Sequence, residues 1–362
     1  MLYNLLAPLK DISILFNLFR YITFRIGGAA VTSFLFAIVL TPILITFLKK
    51  KGVVSNVRED VPERHKAKKG TPTMGGLIIL FATVISVLLW VDLTNTFVWY
   101  AVFATLLSGI LGFFDDYVKD VKRSSNGLLI RQKLLWQILL GLAIGAFLYF
   151  FPPYPALKDT TEILFIEEIV IRLGFFYIFT SAIVIVASVN AINITDGLDG
   201  LALGGSIIVI SVFTILAYIT GRVDFSNYLK IFYLPGAGEL SIFCAAFAGS
   251  GLGLLWYNSY PSQIFLGDTG SLALGGGIGA VAIMLKKEAL LFIVGGIFVI
   301  EALSVLMQIV SFRWFGGKRI FKMAPLHHHF ELLGWPEPKI VTRFWITGII
   351  FALVALGSFK IR

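Results

Sequence analysis

The chain has 362 residues, a formal net charge of +9, 57% hydrophobic residues and only 14% charged residues. Soluble domains are about half apolar and about a quarter charged, so this composition excludes an ordinary soluble protein and indicates an integral membrane protein. The single cysteine, Cys244, has no partner in the chain, which excludes a fold stabilised by intrachain disulfides.

The N-terminal segment, residues 1–22, carries charges such as Lys10 and Arg20 and lacks a compact apolar core followed by a small-residue cleavage site. It therefore predicts an interfacial helix rather than a cleavable signal. Beyond it, apolar stretches of the roughly 20 residues that a transmembrane helix needs recur about ten times. These predicted spans cover 24–48, 72–90, 93–114, 134–154, 173–195, 200–221, 240–258, 269–285, 289–312 and 344–359. With no internal repeat or long linker, the sequence predicts one all-α polytopic membrane domain over 1–362.

The connections between the predicted spans differ in their content of Lys and Arg. The basic loops follow the first, third and ninth spans, and the even-numbered loops carry few basic residues. Because basic loops stay in the cytoplasm, both termini are expected on the periplasmic side. The loops after the fifth and seventh spans contain no basic residue, yet this topology places them on the cytoplasmic side too. The polar motifs described below are therefore all expected on one membrane face.

Two adjacent carboxylates, Asp115 and Asp116, end the third predicted span. A solvated helix end would explain them, although a carboxylate at a helix C-terminus is mildly unfavourable. The alternative is a site that uses two hard oxygen ligands, or a base beside a cation, since neighbouring carboxylates resist joint ionisation unless a metal or a lysine neutralises them. Lys119 follows one helical turn later.

The segment "NAINITDGLDG" (190–200) repeats a polar side chain every third residue and contains two glycines that are expected to end the helix. A simple turn would need Gly and Asp but not the two asparagines one turn deeper, whose buried amides must be satisfied. The segment "FLGDTGS" (265–271) resembles the catalytic loop of aspartic proteases, but no second matching loop exists for a carboxylate dyad. Asp268 is instead expected to be a ligand at a glycine-flanked turn, with Thr269 or Ser271 capping the next helix.

Three further features lie at the predicted membrane surface or within a span. "GTPTMGG" (70–76) predicts a helix start with Thr71 as the cap and Pro72 in the first turn, next to lysines that suit an anion. "PLHHHFELLGW" (325–335) carries a histidine triplet without the companions of a zinc site, so contacts to phosphate groups are favoured. Glu301 lies inside the ninth span, where a carboxylate marks either function or an interhelical bond.

Aspartates beside lysines and histidines, without cysteine ligands, are typical of sites that handle pyrophosphate with Mg²⁺ or Mn²⁺. Phosphoryl transfer at the cytoplasmic face is therefore the first hypothesis. A cation-coupled transporter is the alternative, because many spans and an intramembrane Glu would serve transport. Transport, however, predicts polar groups near the midplane and at both faces, whereas these carboxylates cluster on one side.

The motifs together resemble those of a known family. "KKGTPTMGG", "FFDDYVK", "NAINITDGLDGLA", "FLGDTGSLALGG" and "PLHHHFELLGW" are similar to signature segments of the polyprenyl-phosphate N-acetylhexosamine-1-phosphate transferases. The unbroken histidine triplet and "GTPTMGG" are typical of the phospho-N-acetylmuramoyl-pentapeptide-transferase (MraY) branch. The similarity extends from about residue 20 to the C-terminus.

This resemblance implies an activity. Undecaprenyl phosphate would attack the β-phosphorus of UDP-N-acetylmuramoyl-pentapeptide to give lipid I and UMP, the first membrane step of peptidoglycan synthesis. It also implies Mg²⁺ dependence, a location in the bacterial inner membrane and a homodimer. Asp268 would be the metal ligand, and Asp115, Asp116 and Asp268 would be the catalytic carboxylates, with Asp115 as base or nucleophile. The residues implied to bind substrate are Lys68, Thr73, Lys119, Lys133, Asn193, Asp196, Asp199, Asn258, Phe265, Gln308, His327 and His328.

Overall fold

The computed structural model describes residues 1–11, 14–54, 70–122, 127–162 and 170–359. Before the first long helix, the chain forms short helical segments: α1 (Leu2–Leu6), a 3-10 turn (Ala7–Asp11), α2 (Ile14–Asn17) and a second 3-10 turn (Leu18–Arg20). The Tyr3 ring stacks on the Arg25 guanidinium, 4.2 Å from the ring centroid. The interfacial position expected for this segment stays a prediction.

In the rest of the described chain, the regular secondary structure is helical apart from one pair of strands. They are α3 (Ile22–Lys51), α4 (Gly76–Trp90), α5 (Thr96–Asp116), α6 (Ile130–Phe150), α7 (Tyr177–Thr195), α8 (Leu201–Thr220), α9 (Val223–Leu229), α10 (Gly238–Asn258), α11 (Gly267–Met284), α12 (Glu288–Val294), α13 (Gly296–Trp314), α14 (Leu326–Leu332) and α15 (Glu337–Ser358). A π-helical turn (Tyr117–Val121) continues α5, and 3-10 turns cover Pro155–Leu157 and Gly174–Phe176. Strands β1 (Thr160–Glu162) and β2 (Val170–Arg172) pair antiparallel.

Each of the ten apolar stretches predicted from the sequence contains a helix in the described chain. Eight helices are long and apolar enough to cross a membrane: those at Ile22–Lys51, Thr96–Val121, Ile130–Phe150, Gly174–Thr195, Leu201–Thr220, Gly238–Asn258, Gly296–Trp314 and Glu337–Ser358. The other two are α4, which has only 15 residues, and α11, which is rich in glycine. The all-α polytopic class is therefore confirmed, with eight rather than ten helices that meet the criterion in the part of the chain described here.

Two local predictions need correction. The helix predicted to start at Thr71 begins at Gly76 instead. The residues before it are not helical: Pro72 O accepts a hydrogen bond from Phe265 N, Gly75 N donates one to Phe265 O, and Met74 has a φ of +71°. The ninth predicted span is also not continuous, since α12 ends at Val294 and α13 begins at Gly296.

Close helix packing fixes the centre of the bundle. Helix α11 is buried along almost its whole length and packs against α5 and α7. A Cβ at Gly112 of α5 would lie 2.1 Å from the backbone oxygen of Asp268, so only glycine permits this approach. Small residues commonly allow such contacts between membrane helices. The first turn of α11 is therefore pressed against the last turns of α5.

Polar groups also close the other end of the bundle. Glu288, at the start of α12, accepts hydrogen bonds from Tyr177 and Thr161 hydroxyls at 2.7 Å each, and Lys287 pairs with Glu162 of β1. These contacts attach the two-stranded sheet to the helices. The strands are three residues each, too short to produce a recognisable alternating pattern in the sequence.

Candidate active site

Four helix termini meet at one end of the bundle. Asp115 and Asp116 lie at the C-terminal end of α5, Lys133 lies in the first turn of α6, Asn193 lies near the end of α7, and Asp268 begins α11. These segments are far apart in sequence but are joined by side-chain hydrogen bonds and ion pairs. The aspartate motifs in contact thus lie at one end of the bundle, and the placement of this end at the cytoplasmic membrane face stays a prediction.

The Asp268 carboxylate is held by three side chains. Its Oδ1 accepts a hydrogen bond from Asn193 Nδ2 at 2.9 Å. Its Oδ2 accepts from Lys119 Nζ at 2.9 Å and from Lys133 Nζ at 2.8 Å. Asn193 Nδ2 also donates to Ser271 Oγ at 2.9 Å, so the amide is fixed on two sides. The Asp268 side chain remains 17% exposed, so a ligand can reach part of it.

Asp115 shares the same two lysines. Lys133 Nζ lies 2.7 Å from Asp115 Oδ2, and Lys119 also contacts this oxygen. The other oxygen, Oδ1, accepts a hydrogen bond from Leu128 N at 2.8 Å. The Asp115 side chain is fully buried. Two ammonium groups thus bridge two carboxylates, and this pairing offsets the cost of burying the charges.

Asp116 has a different role, because its carboxylate caps the start of α11. Oδ1 accepts from Asp268 N at 2.9 Å, and Oδ2 accepts from Thr269 N at 2.8 Å and from Thr269 Oγ1 at 2.6 Å. The first backbone N–H groups of a helix have no partner within it and favour a negative charge. Gly267 turns the chain into this helix with φ of +73°, a conformation that favours glycine. No side chain within α11 caps it, so the predicted cap by Thr269 or Ser271 is wrong.

Some predicted substrate-binding residues are bonded to nearby backbone. Asn258 Nδ2 donates to Ile264 O at 2.9 Å, and Asp199 Oδ2 accepts from Ser262 N at 3.1 Å. Both side chains therefore order the loop that leads to Phe265, which is partly buried. Thr73 is buried beside Gly267: a Cβ on that glycine would lie 3.0 Å from Thr73 Oγ1.

Asp196 follows the last residue of α7 and is half-buried. Partial removal from water raises the pKa of Asp196 well above its usual range, and the nearby carboxylates of Asp268, Asp116 and Asp199 raise it further. Mutual repulsion of this kind is relieved by a cation, so the region favours a positively charged ligand.

The histidine segment forms the short helix α14 beside α13. His327 is fully buried, with its Nδ1 3.1 Å from Glu301 Oε2, and its backbone N–H donates to Glu301 Oε1 at 3.1 Å. Burial lowers the pKa of His327, and the pairing with Glu301 only partly opposes that shift. His328 Nδ1 lies 2.6 Å from Glu331 Oε2. Glu301 therefore makes the interhelical bond that the sequence left as one of two explanations, and this pairing removes the main support for a transporter.

Gln308 supports the loop before α14. Its Oε1 accepts hydrogen bonds from the backbone N–H groups of Ile320 and Phe321, and its Nε2 donates to Phe321 O. Lys68, the remaining predicted substrate-binding residue, lies outside the described residues.

Comparison with known proteins gives consistent matches. The family described as Glycosyl transferase family 4 matches residues 98–286, and the Phospho-N-acetylmuramoyl-pentapeptide-transferase signature 1 matches residues 68–80. The chain is 49% identical over 362 residues to the Phospho-N-acetylmuramoyl-pentapeptide-transferase of Desulfotalea psychrophila, and 100% of each chain is covered. It is 48% identical over 362 residues to the protein of the same name from Thermodesulfovibrio yellowstonii, again with 100% of each chain covered.

The chain belongs to the phospho-N-acetylmuramoyl-pentapeptide-transferase family.

The acidic cluster of this transferase has a donor set that suits a divalent cation. One carboxylate oxygen from each of Asp115, Asp116 and Asp268 lies within 4.8 Å of the others. Hard oxygen ligands are those that Mg²⁺ and Mn²⁺ prefer. Asp116 already accepts three hydrogen bonds from the start of α11, and both oxygens of the buried Asp115 are engaged by Leu128 N and the two lysines. The partly exposed Asp268 is therefore the best-placed ligand of the three.

The sequence did not predict two polar contacts of this transferase. Gln137 of α6 is buried and its Oε1 accepts from Asn190 Nδ2 at 2.6 Å, one helical turn beyond Lys133. Capping of α11 by Asp116 was also missed. The first contact had a signal, since a lone amide within an apolar span needs a partner. The second had none, because a cap donated by a distant helix leaves no local pattern.

Proposed function

We propose that this transferase moves phospho-N-acetylmuramoyl-pentapeptide from UDP-N-acetylmuramoyl-pentapeptide to undecaprenyl phosphate, forming lipid I and UMP. This would be the first membrane step of peptidoglycan synthesis. The proposal joins the names of the full-length relatives to the chemistry of the cluster around Asp268.

One observation carries the chemical part of the proposal: Lys119 and Lys133 both bridge Asp115 and Asp268 at the end of an apolar bundle. A reaction between a lipid phosphate and a soluble nucleotide requires anion-binding groups where membrane helices meet water. Lysines bind phosphate as compact cations, while the carboxylates suit a divalent ion. Both kinds of group lie within hydrogen-bonding distance of Asp268.

We assign the metal site to Asp268, and the metal to Mg²⁺. When bound, Mg²⁺ would offset the repulsion between two phosphate anions and polarise the phosphoryl oxygens. Lys119 and Lys133 would bind the phosphates that approach this cluster. Asn193 would keep the Asp268 carboxylate oriented, and Asp116 would keep its backbone in place.

The remaining predicted residues, apart from the fully buried His327, would surround the nucleotide and the sugar. Asp196 is partly open to solvent and would contact substrate directly. Asp199, Asn258 and Gln308 are bonded to backbone and would shape the site. Direct contacts are also proposed for Lys68, Thr73, Phe265 and His328.

We propose a single direct displacement. An oxygen of the lipid phosphate would attack the β-phosphorus, and the bond from this phosphorus to the oxygen of UMP would break. A phosphate monoester has a second pKa near 6, so the acceptor is mostly dianionic at pH 7 and needs little help from a base. Asp115 is poorly suited to be a nucleophile, because one oxygen is bonded to Leu128 N and the other to two lysines.

Incubation with the nucleotide substrate alone distinguishes this route from a covalent one. Direct displacement predicts no phospho-sugar attached to the purified protein by intact mass measurement. An adduct on the wild type that is lost in Asp115→Asn would instead establish a two-step reaction.

The proposal includes a cellular setting. The chain would form one multi-pass domain over 1–362 in the bacterial inner membrane, with the site in the cytoplasm, both termini in the periplasm and the protein assembled as a homodimer. The basic loops after the first, third and ninth predicted spans support this orientation.

The reaction itself is tested with purified protein in detergent, where no ion gradient exists. We expect UMP release that requires the nucleotide substrate, undecaprenyl phosphate and Mg²⁺ together, with the sugar recovered in the lipid product. Release of UMP without the lipid phosphate, or no release with all three present, would refute the proposed reaction.

A further inference from the structure

A buried carboxylate and a buried histidine form a pair behind the candidate site. Glu301 of α13 and His327 of α14 have no exposed side-chain surface. Glu301 Oε1 accepts the backbone N–H of His327, and Oε2 lies 3.1 Å from the ring Nδ1. An ionised carboxylate only accepts hydrogen bonds, so a proton on Nδ1 of the ring suits this pair.

The other ring nitrogen lies against a glycine of the candidate site. His327 Nε2 is buried and has no hydrogen-bond partner among the described residues. A Cβ built on Gly197 would lie 2.2 Å from this nitrogen. The ring therefore occupies the space that a side chain at position 197 would need.

The protonation state follows from these surroundings. Burial lowers the pKa of His327, which favours a neutral ring with one proton. An unprotonated Nε2 beside Gly197 has a lower free-energy cost than an N–H group buried there without an acceptor. With its single proton on Nδ1, the neutral ring donates to Glu301 and buries no N–H group without an acceptor.

The turn that contains Gly197 is held from other directions as well. The backbone N–H of Asp199 donates to Glu337 Oε1 of α15 at 2.7 Å. The Asp199 carboxylate accepts the backbone N–H of Ser262 at 3.1 Å. Together with the His327 ring at Gly197, these contacts fix the turn from three sides, and the ring is the contact nearest to Asp196.

We propose that Glu301 and His327 are positioning residues: Glu301 fixes the His327 ring with its bare Nε2 against Gly197, and the ring sets the position of the turn 196–200. Neither side chain touches substrate. This inference deepens the proposed function and rests on it, since the turn is assigned to binding of the nucleotide sugar.

A double-mutant cycle tests the contact between the ring and the turn. Gly197→Ala adds a methyl group where the ring lies, and His327→Ala removes the ring. The dissociation constant of UDP-N-acetylmuramoyl-pentapeptide, measured by calorimetry, is the readout. We expect Gly197→Ala to weaken binding about tenfold with His327 present, because small misplacements of binding groups are costly. With His327→Ala in place it should have little further effect, and an equal loss in both backgrounds would overturn the proposal.

The tautomer is tested without substrate. Glu301→Gln keeps the size of the side chain, but an amide can donate to Nδ1 and thereby favours the proton on Nε2. The chain has four histidines, so ¹⁵N-histidine labelling gives few signals, and the His327→Ala variant identifies the one of interest. We expect wild-type His327 to carry its proton on Nδ1 and Glu301→Gln to move it to Nε2. A wild-type proton on Nε2 would overturn the proposal.

Kinetics separate positioning from loss of folding. Glu301→Gln should raise KM for the nucleotide substrate about tenfold and leave KM for undecaprenyl phosphate unchanged. The matched control is Glu239→Gln, which removes the charge of another buried carboxylate, paired with Arg25. Glu239 lies near the far end of α10, about 28 Å from Asn258 at 1.5 Å per residue, so its loss should affect thermal stability alone. An equal rise of both KM values in Glu301→Gln would mean that the pair is merely structural.

These readouts also separate the two proposals. If the wild type binds no UDP substrate, the proposed function fails, whereas the NMR signal still reports whether Glu301 sets the tautomer. If the wild type turns over but the cycle shows no coupling, only the positioning role fails.

Discussion

Asp116 is bonded to the backbone of Asp268 rather than to its carboxylate. The hydrogen bond from Asp268 N to Asp116 Oδ1 is 2.9 Å long, and both hydrogen bonds of Thr269 go to Oδ2. Two adjacent aspartates of α5 therefore have separate tasks. Asp115 pairs with the lysines of the site, and Asp116 fixes the helix start that presents Asp268.

The first prediction concerns this cap. Asp116→Asn replaces one acceptor oxygen with a donor that faces N–H groups, so the start of α11 loses part of its cap. We expect a loss of roughly 1 to 2 kcal/mol in the free energy of unfolding, the usual cost of a lost helix cap. Thermal unfolding in detergent measures it. Asp224→Asn is the control, since that side chain is 81% exposed, and equal stability of both variants would contradict the capping role.

The second prediction concerns the bridging lysines. Lys133→Met removes an ammonium group that lies 2.7 Å from Asp115 and 2.8 Å from Asp268. We expect kcat/KM to fall about a hundredfold, because a positioned charge at reacting phosphates is worth that much or more. Lys158→Met, where the ammonium group stacks on Tyr149 instead, should keep wild-type turnover. Wild-type turnover by Lys133→Met would show that this lysine does not act on the phosphates.

The third prediction concerns the contact between Gln137 and Asn190. This hydrogen bond joins α6 to α7 one turn beyond Lys133, so it should fix the position of that lysine. In a double-mutant cycle with Gln137→Ala and Asn190→Ala, we expect a coupling of about 1 kcal/mol in stability, as for other polar contacts in membranes. Strictly additive losses would show that the two amides do not stabilise each other.

Orientation in the membrane gives a fourth prediction. Cys244 is buried, so a cysteine introduced at the surface will be the one that reacts with a membrane-impermeant maleimide. Thr94 and Lys318 are both exposed, in connections before α5 and after α13. We expect Thr94→Cys to react from the periplasmic side and Lys318→Cys to react only after the membrane is opened. The reverse pattern would place the candidate site in the periplasm.

Sequence reasoning located the helices and the main polar residues because both leave local signals. Apolar runs of sufficient length span a bilayer as helices. Carboxylates such as Asp115 and Asp268 at the ends of these runs indicate function, because burying a charge there costs free energy. The glycine-rich helix α11 and the short helix α4 were harder to classify, since the first is less apolar and the second has 15 residues.

The sequence did not predict which polar residues of the site are free to bind a ligand and which support neighbouring loops. Asn258 and Gln308 look like polar side chains available to a ligand, yet each is bonded to backbone of a neighbouring loop. His327 looks like a phosphate contact, yet its ring is buried against Gly197. These contacts join segments distant in sequence or depend on a loop's exact path, so composition and spacing do not specify them.

The most direct test of the central claim, that the acidic cluster around Asp268 is the reaction site, is Mg²⁺-dependent UMP release by purified Asp268→Asn. The wild type and Asp224→Asn are measured in parallel, and thermal unfolding is recorded for all three. We predict that Asp268→Asn remains folded and releases UMP about a hundredfold more slowly or not at all, because the substitution removes a metal-binding charge. Turnover within a few fold of the wild type would contradict the account.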